Sequence, residues 1–300
     1  MSPDRSMKPQ SAAATGILAI LALIGVGVLA FGGSSDAATA DATPPYAEGE
    51  VPGAIPDHQR FTHLLAEVVR VPLVDYARLQ DERQALDGYI DELARTDPGV
   101  LESASDEEQL AFWINAYNAC MLKLVIDHYP IEPGGVGLFG GIRNRVAGYP
   151  DNSVWQIRDV FSRDHCPVAG ADRSQDEIEH EIIRPRFDEP RIHFAVNCAA
   201  RSCPVLWPEA YRGDELESQL DRAVEYLMEQ PDHFRLEPGP PPVLTLNKVL
   251  DWYAEDFGGT SGLKQFFQPY LDDSRAELLR RGDARVEFFE YDWTLNDIPR

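Results

Sequence analysis

The feature that most constrains this chain is the stretch LAFWINAYNACMLKLVIDHYP, residues 110–130. It opens with Ser105 and, three residues on, Glu108, which is the spacing of a capping box. The helix it starts is apolar nearly all round, so it must be covered on most faces. A chain that hides such a helix needs a sizeable core. The composition allows one, with 44% hydrophobic and 10% aromatic residues.

Other elements follow from periodicity. Phe61, Leu64, Leu65 and Val68 recur at helical spacing. A helix is expected over about 83–95, with Leu86, Tyr89, Ile90 and Leu93 inward. Residues 134–141 are rich in glycine and, with Pro130, end the long helix. They lack the GKS or GKT ending of a phosphate loop. Ser174 and Glu177 suggest a second capping box, opening a helix SQDEIEHEIIR that Pro185 ends. In that helix Ile178, Ile182 and Ile183 would face the core, with Glu179 and His180 pointing elsewhere. RIHFAVNC, residues 191–198, reads as a strand followed by a tight turn. A helix over 214–228, a strand over 243–246, helical 250–257 and 263–271, and a late strand from 286 complete the pattern. Helices dominate and strands are few and separated. The expected class is α+β: a helix-rich domain with a small, mostly antiparallel sheet.

At the N-terminus, Arg5 and Lys8 precede an unbroken apolar run over residues 16–33, and Ala38-Thr39-Ala40 follows. This reads as a signal peptide or membrane anchor over 1–33, then a flexible linker over 34–56 and a single globular domain over 57–300. The protein is expected to be exported, with a membrane as partner through that segment. Asp4 and Asp36 balance Arg5 and Lys8. The net charge of -23 therefore belongs to the exported part. Such acidity, without a Lys/Arg cluster, argues against nucleic acid as a partner. No dinucleotide fingerprint, zincin helix or nucleophile elbow is present, and no cofactor is expected.

Four cysteines remain: Cys120, Cys166, Cys198 and Cys203. Cys120, in the buried helix, reads as a core thiol. Cys166 lies in a polar loop, as a bridge partner or an incidental thiol. Cys198 and Cys203 bracket the turn Ala-Ala-Arg-Ser. They are open to three readings: a local disulfide, a thiolate nucleophile, or metal ligands. The metal reading is the weakest, because H-x4-C-x4-C over His193, Cys198 and Cys203 lacks closely spaced ligand pairs. On an extended strand His193 faces away from Cys198 and lies about 16 Å from it. A base for the thiol would then come from the helix bearing Glu179 and His180. Asn115 and Asn118 share one face of the long helix. They either bind loop backbone or line a polar site.

LAFWINAYNA at 110–119, EIEHEIIRP at 177–185, RIHFAVNCAARSCPVL at 191–206, LDWYAEDFG at 250–258 and EYDWTLN at 290–296 together resemble the family catalogued as domain of unknown function 547. Cys120 and Cys166 fall outside that pattern. The resemblance implies a mixed helix-and-sheet fold, distantly similar to papain- or transglutaminase-like thiol enzymes. The expected chemistry is a thiol-dependent hydrolase or acyl transferase. Cys198 or Cys203 would be the nucleophile, His180 or His193 the base, Glu179 its orienter, and Asn115 and Asn118 the stabilisers of an oxyanion. The alternative is a non-catalytic envelope module with a Cys198–Cys203 disulfide.

Overall fold

In the computed structural model, residues 53–133 and 135–299 are described. The chain folds around the long helix. The first helices are α1 (Gln59–Val68), α2 (Tyr76–Asp81), α3 (Arg83–Arg95) and α4 (Pro98–Ser103). α1 packs on α2 and α3, and these two pack on α5 (Asp106–Ile126), which is buried from Gln109 to Ile126 except at Lys123. Ser105 and Glu108 form the expected reciprocal cap. The apolar faces of α1 and α3 are those the spacing indicates. Phe61 stacks on Tyr89 with ring centroids 4.5 Å apart.

The chain is α+β, as expected. Its strands are short. β1 (Val69–Arg70) pairs with β2 (Leu73–Val74), and β3 (Cys166–Val168) pairs with β4 (Ala171–Arg173), each antiparallel. A three-stranded sheet has the order β5 (Phe234–Glu237), β6 (Val243–Leu246), β7 (Arg285–Phe288). Its first pair is antiparallel and its second parallel. The apolar residues form two clusters. One surrounds α5; the other joins Phe194, Leu227, Phe234, Leu246, Leu250 and Phe267. Ile192, Ala195 and Val196 belong to the first cluster and Phe194 to the second, so segment 192–203 runs along the seam.

Three local expectations change. The glycine-rich run does not merely end α5, because a helix α6 (Gly137–Ala147) passes through it. Residues 191–198 are not a strand. Pro190 fixes φ and Glu189 caps the Arg191 amide at 3.0 Å, so Pro190–Phe194 winds into a 3-10 turn. The alternation and the extended-chain separation between His193 and Cys198 therefore do not apply. Glu177–Ile183 is a π-helix, whose closing bond runs from the Arg184 amide to the Glu179 carbonyl, five residues back. Residues five apart then share a face. Ile178 and Ile183 anchor the turn, and Glu179 is drawn inward with Arg184 on its side.

The expected membrane partner is also corrected. Among the described residues no helix is long and apolar enough to cross a membrane. The longest, α5, opens on Asp106, Glu107 and Glu108, carries Lys123, and is covered by protein. The leader expected over 1–33, and the expected linker up to residue 52, lie outside the described residues.

Cys120 is not a simple core thiol. It forms a disulfide with Cys166, tying α5 to β3 across 46 residues of sequence.

His58, at the start of α1, is buried and bonds Tyr89 Oη through Nδ1 at 2.7 Å. Burial lowers its imidazole from 6.5 to about 4, against the pull of Asp57. The folded state thus holds a neutral ring that the unfolded chain protonates below about 6.5. His58 stabilises the fold above that pH, and the contribution is lost as pH falls toward 4. The full loss is about 3 kcal/mol. Urea unfolding at pH about 7 and about 4.5 should show the drop, and a His58→Asn variant should show much less of it. Equal slopes in the two proteins would contradict this assignment.

Candidate active site

The turn 198–203 is held from both sides. Asn118 on α5 donates to the Ala195 carbonyl at 3.0 Å and accepts the Asn197 amide at 2.9 Å. Asn197 accepts the Ala199 amide and donates to the Pro204 carbonyl. This Asx geometry supports Ala199 at φ 61, a left-handed conformation that costs a residue with a Cβ about 1 kcal/mol. From the other side the C-terminal segment straps the turn. The Arg201 amide reaches the Thr294 carbonyl at 2.8 Å, Ser202 exchanges bonds with Asp292, and Ala200 bridges Leu295.

That strap places Tyr291 on the thiol. Its hydroxyl lies 3.0 Å from Cys198 Sγ. Cys203 Sγ lies 2.7 Å from Cys198 Sγ and accepts the Cys198 amide at 2.8 Å. Both thiols are free. Burial by itself raises the Cys198 thiol, but hydrogen bonds from the Cys203 thiol, the Tyr291 hydroxyl and the Ala200 amide outweigh it. The result is a thiol held below its ordinary range, on a partly exposed side chain. Cys203 shifts the opposite way. Burial raises it well above the usual value, and the neighbouring Cys198 sulfur raises it further. One donor removed from a thiolate costs about 1.4 kcal/mol, or roughly tenfold in thiolate population. Tyr291→Phe should therefore slow Cys198 alkylation at neutral pH about tenfold, measured with iodoacetamide and peptide mapping; an unchanged rate would remove Tyr291 from the site.

The imidazoles lie in an adjoining polar network. His193 is buried and stacks on Tyr253 with centroids 4.0 Å apart. Its Nε2 bonds Asp256 at 2.8 Å. Arg184 grips the same carboxylate with two bonds of 2.6 and 2.7 Å. Burial works against the Asp256 carboxylate, yet His193 and Arg184 hold it well below the usual range. Burial, and then the neighbouring Glu179 carboxylate, push the Tyr253 hydroxyl well above its usual value; Glu179 is itself buried. Among the described residues Glu179 Oε1 and His193 Nδ1 have no hydrogen-bond partner, and they stand 3.9 Å apart. His180 is less buried, 3.2 Å from Arg184 and 3.9 Å from Asp176.

The structure thus joins Cys198 with Cys203, and Glu179 with His193. The hydrogen bonds of the two sulfurs go to each other, to Tyr291 and to backbone, not to an imidazole. Asn115 spends both ends of its amide on Tyr211 backbone, at 2.7 and 2.9 Å, as Asn118 spends its own on 195–197. Both side chains position loops. Tyr291, Tyr253, Asp256 and Arg184 were not singled out for the site from the sequence. The first three sit inside the LDWYAEDFG and EYDWTLN blocks, where aromatic neighbours read as packing. Arg184 aligns with Glu179 only through the π-helical turn. Among the described residues no group of three or more His, Cys, Asp or Glu side chains is placed to hold a metal ion.

No curated protein and no solved structure matches the chain. Residues 101–227, which include α5, the π-helix and the Cys198–Cys203 turn, match the family model described as protein of unknown function, DUF547, and the chain carries a domain of that family.

Proposed function

We propose that Cys198 and Cys203 form a dithiol centre for thiol–disulfide exchange. The observation that carries this reading is the geometry of the pair: a partly exposed sulfur with the Tyr291 hydroxyl 3.0 Å from it, beside a buried sulfur 2.7 Å away. The hydrogen bonds at Cys198 favour its thiolate, and burial favours the thiol form of Cys203. In exchange chemistry the first attacks and the second resolves. The Cys198 thiolate attacks one sulfur of a substrate disulfide. A protein–substrate mixed disulfide forms and one substrate thiolate leaves. The Cys198 negative charge is then gone, and with it one cause of the raised Cys203 thiol. Cys203 loses its proton to the departing thiolate and attacks Cys198 Sγ. The internal disulfide forms as the bond between Cys198 and the substrate sulfur breaks, the second substrate sulfur leaves as thiolate, and the substrate has gained two electrons. The buried Cys120–Cys166 disulfide supports an extracytoplasmic, oxidising compartment for this work.

A second reading, thiol-dependent hydrolysis or acyl transfer, has His193 and Asp256 in its favour, a buried imidazole oriented by a carboxylate. It lacks an imidazole on either sulfur, and the Asn115 and Asn118 amides expected at an oxyanion are occupied by loop backbone. The two readings separate in one experiment. The Cys203→Ser variant is offered a low-molecular-weight aromatic disulfide and, in parallel, an activated ester. Exchange predicts one equivalent of mixed disulfide on Cys198 and no turnover of the ester. Acyl-Cys198 with ester turnover, and no mixed disulfide, would replace the first reading with the second.

A further inference from the structure

A cavity of about 350 Å³ opens beside the dithiol, and Cys203 lines it. The side chains with chemistry around it are Arg201, Tyr226, Gln230, Asp232 and His233. Arg201 and Asp232 are exposed, and neither forms an ion pair among the described residues, with each other or elsewhere. The cavity therefore carries one cation and one anion, neither in an ion pair among the described residues, near a sulfur. His233 is fixed differently: it is bonded to Asn247, which in turn donates to the Ser202 carbonyl at 2.7 Å. It shapes the wall rather than supplying charge.

Once Cys198 and Cys203 have oxidised, the site needs a reductant to work again. Exchange is fastest when the sulfur expelled is the better leaving group. Here that sulfur is Cys198, whose thiolate is received by Tyr291 and the Ala200 amide. An incoming thiolate must then strike Cys203, and the cavity is the open space on which Cys203 borders. The protein's net charge of -23 disfavours an anionic thiol approaching through solvent. A thiolate that carries an ammonium beside its carboxylate bears one negative charge less than a carboxylate-only thiolate, and its two groups match the two charges at the cavity.

We infer that the cavity bordered by Cys203, Arg201 and Asp232 is the site for a small zwitterionic amino-acid thiol that reduces the Cys198–Cys203 disulfide. The thiolate attacks Cys203 Sγ, the Cys203–ligand bond forms, and the Cys198 sulfur leaves as thiolate. A second ligand thiolate attacks the ligand sulfur of this mixed disulfide. The ligand disulfide is released, and Cys203 leaves with the electron pair and takes a proton. The carboxylate of the ligand pairs with Arg201 and its ammonium with Asp232. This inference rests on the exchange reading above.

The test uses the oxidised full chain and four thiols of similar size: cysteine, mercaptoacetate, cysteamine and 2-mercaptoethanol. Rates of reduction are expressed per thiolate, and acid-quenched samples are peptide-mapped. Cysteine should be fastest by about tenfold or more, with the transient adduct on Cys203. Arg201→Gln should bring cysteine down to the rate of cysteamine. Asp232→Asn should bring it toward mercaptoacetate. Both residues are exposed, so the variants should fold, and 2-mercaptoethanol should reduce all three proteins equally. Rates alike within twofold for the four thiols, a ranking unmoved by either variant, or an adduct on Cys198 would overturn the inference. Failure of the pair to form an internal disulfide at all would instead overturn the exchange reading.

Discussion

Replacing Cys198 by Ser should abolish exchange with a disulfide substrate, a loss of about a thousandfold or more, whereas Cys203→Ser should keep the first half-reaction and stop there. The contrast follows from what each sulfur touches. Cys198 receives three donors and is partly exposed. Without it the remaining thiol is Cys203, buried and held protonated, which is a poor nucleophile. Without Cys203, the Cys198 thiolate loses one donor but keeps Tyr291 and the Ala200 amide, so attack persists. No second sulfur then stands 2.7 Å away to resolve the adduct. Stopped-flow release of an aromatic thiol, with intact-protein mass, reads both variants. Equal residual rates, or an adduct that turns over in the Cys203→Ser protein, would contradict the division of labour.

The second large effect is structural. Removing the Cys120–Cys166 bridge, as Cys120→Ala with Cys166→Ala, should cost about 4 kcal/mol, the chain-entropy value for a loop of this length. The 46-residue separation sets that figure. It corresponds to a fall in Tm of roughly 8–16 °C for a domain of this size. The bridge anchors β3 to α5, and α5 carries Asn118, which holds the 195–197 segment. The double variant should therefore also label Cys203 faster as the turn loosens. Calorimetry of the two proteins checks the first part, and a difference below about 1 kcal/mol would contradict it.

How far the sequence reaches can be seen from these same residues. α5 was legible because its apolar run and its cap agree, and burial then leaves one solution. The turn between Cys198 and Cys203 was legible as a place where two thiols come close. The path into it was not. RIHFAVNC has the β-branched and aromatic content of a strand, but Pro190 and the Glu189 cap coil it. That coil, not an extended chain, carries His193 to Asp256. The burial of Glu179 was hidden for a different reason. An α-helical period points it away from the isoleucines, and only a π-helical turn puts it with Arg184. Tyr291 reaches Cys198 through strapping by bonds between residues 90 or more apart in sequence, which no local pattern records. The partner of Cys120 was out of reach because a helix interior says nothing of the strand that will lie against it.

All of this depends on a difference in acidity between two adjacent sulfurs. The direct measurement is the pH dependence of iodoacetamide labelling on the reduced chain, mapped by peptide. Cys198 should be labelled first, with a midpoint below that of an ordinary thiol measured in parallel on a short unstructured peptide, while Cys203 stays unlabelled. Labelling of Cys203 ahead of Cys198, or a Cys198 midpoint at or above that of the peptide thiol, would contradict a thiolate centre at this turn.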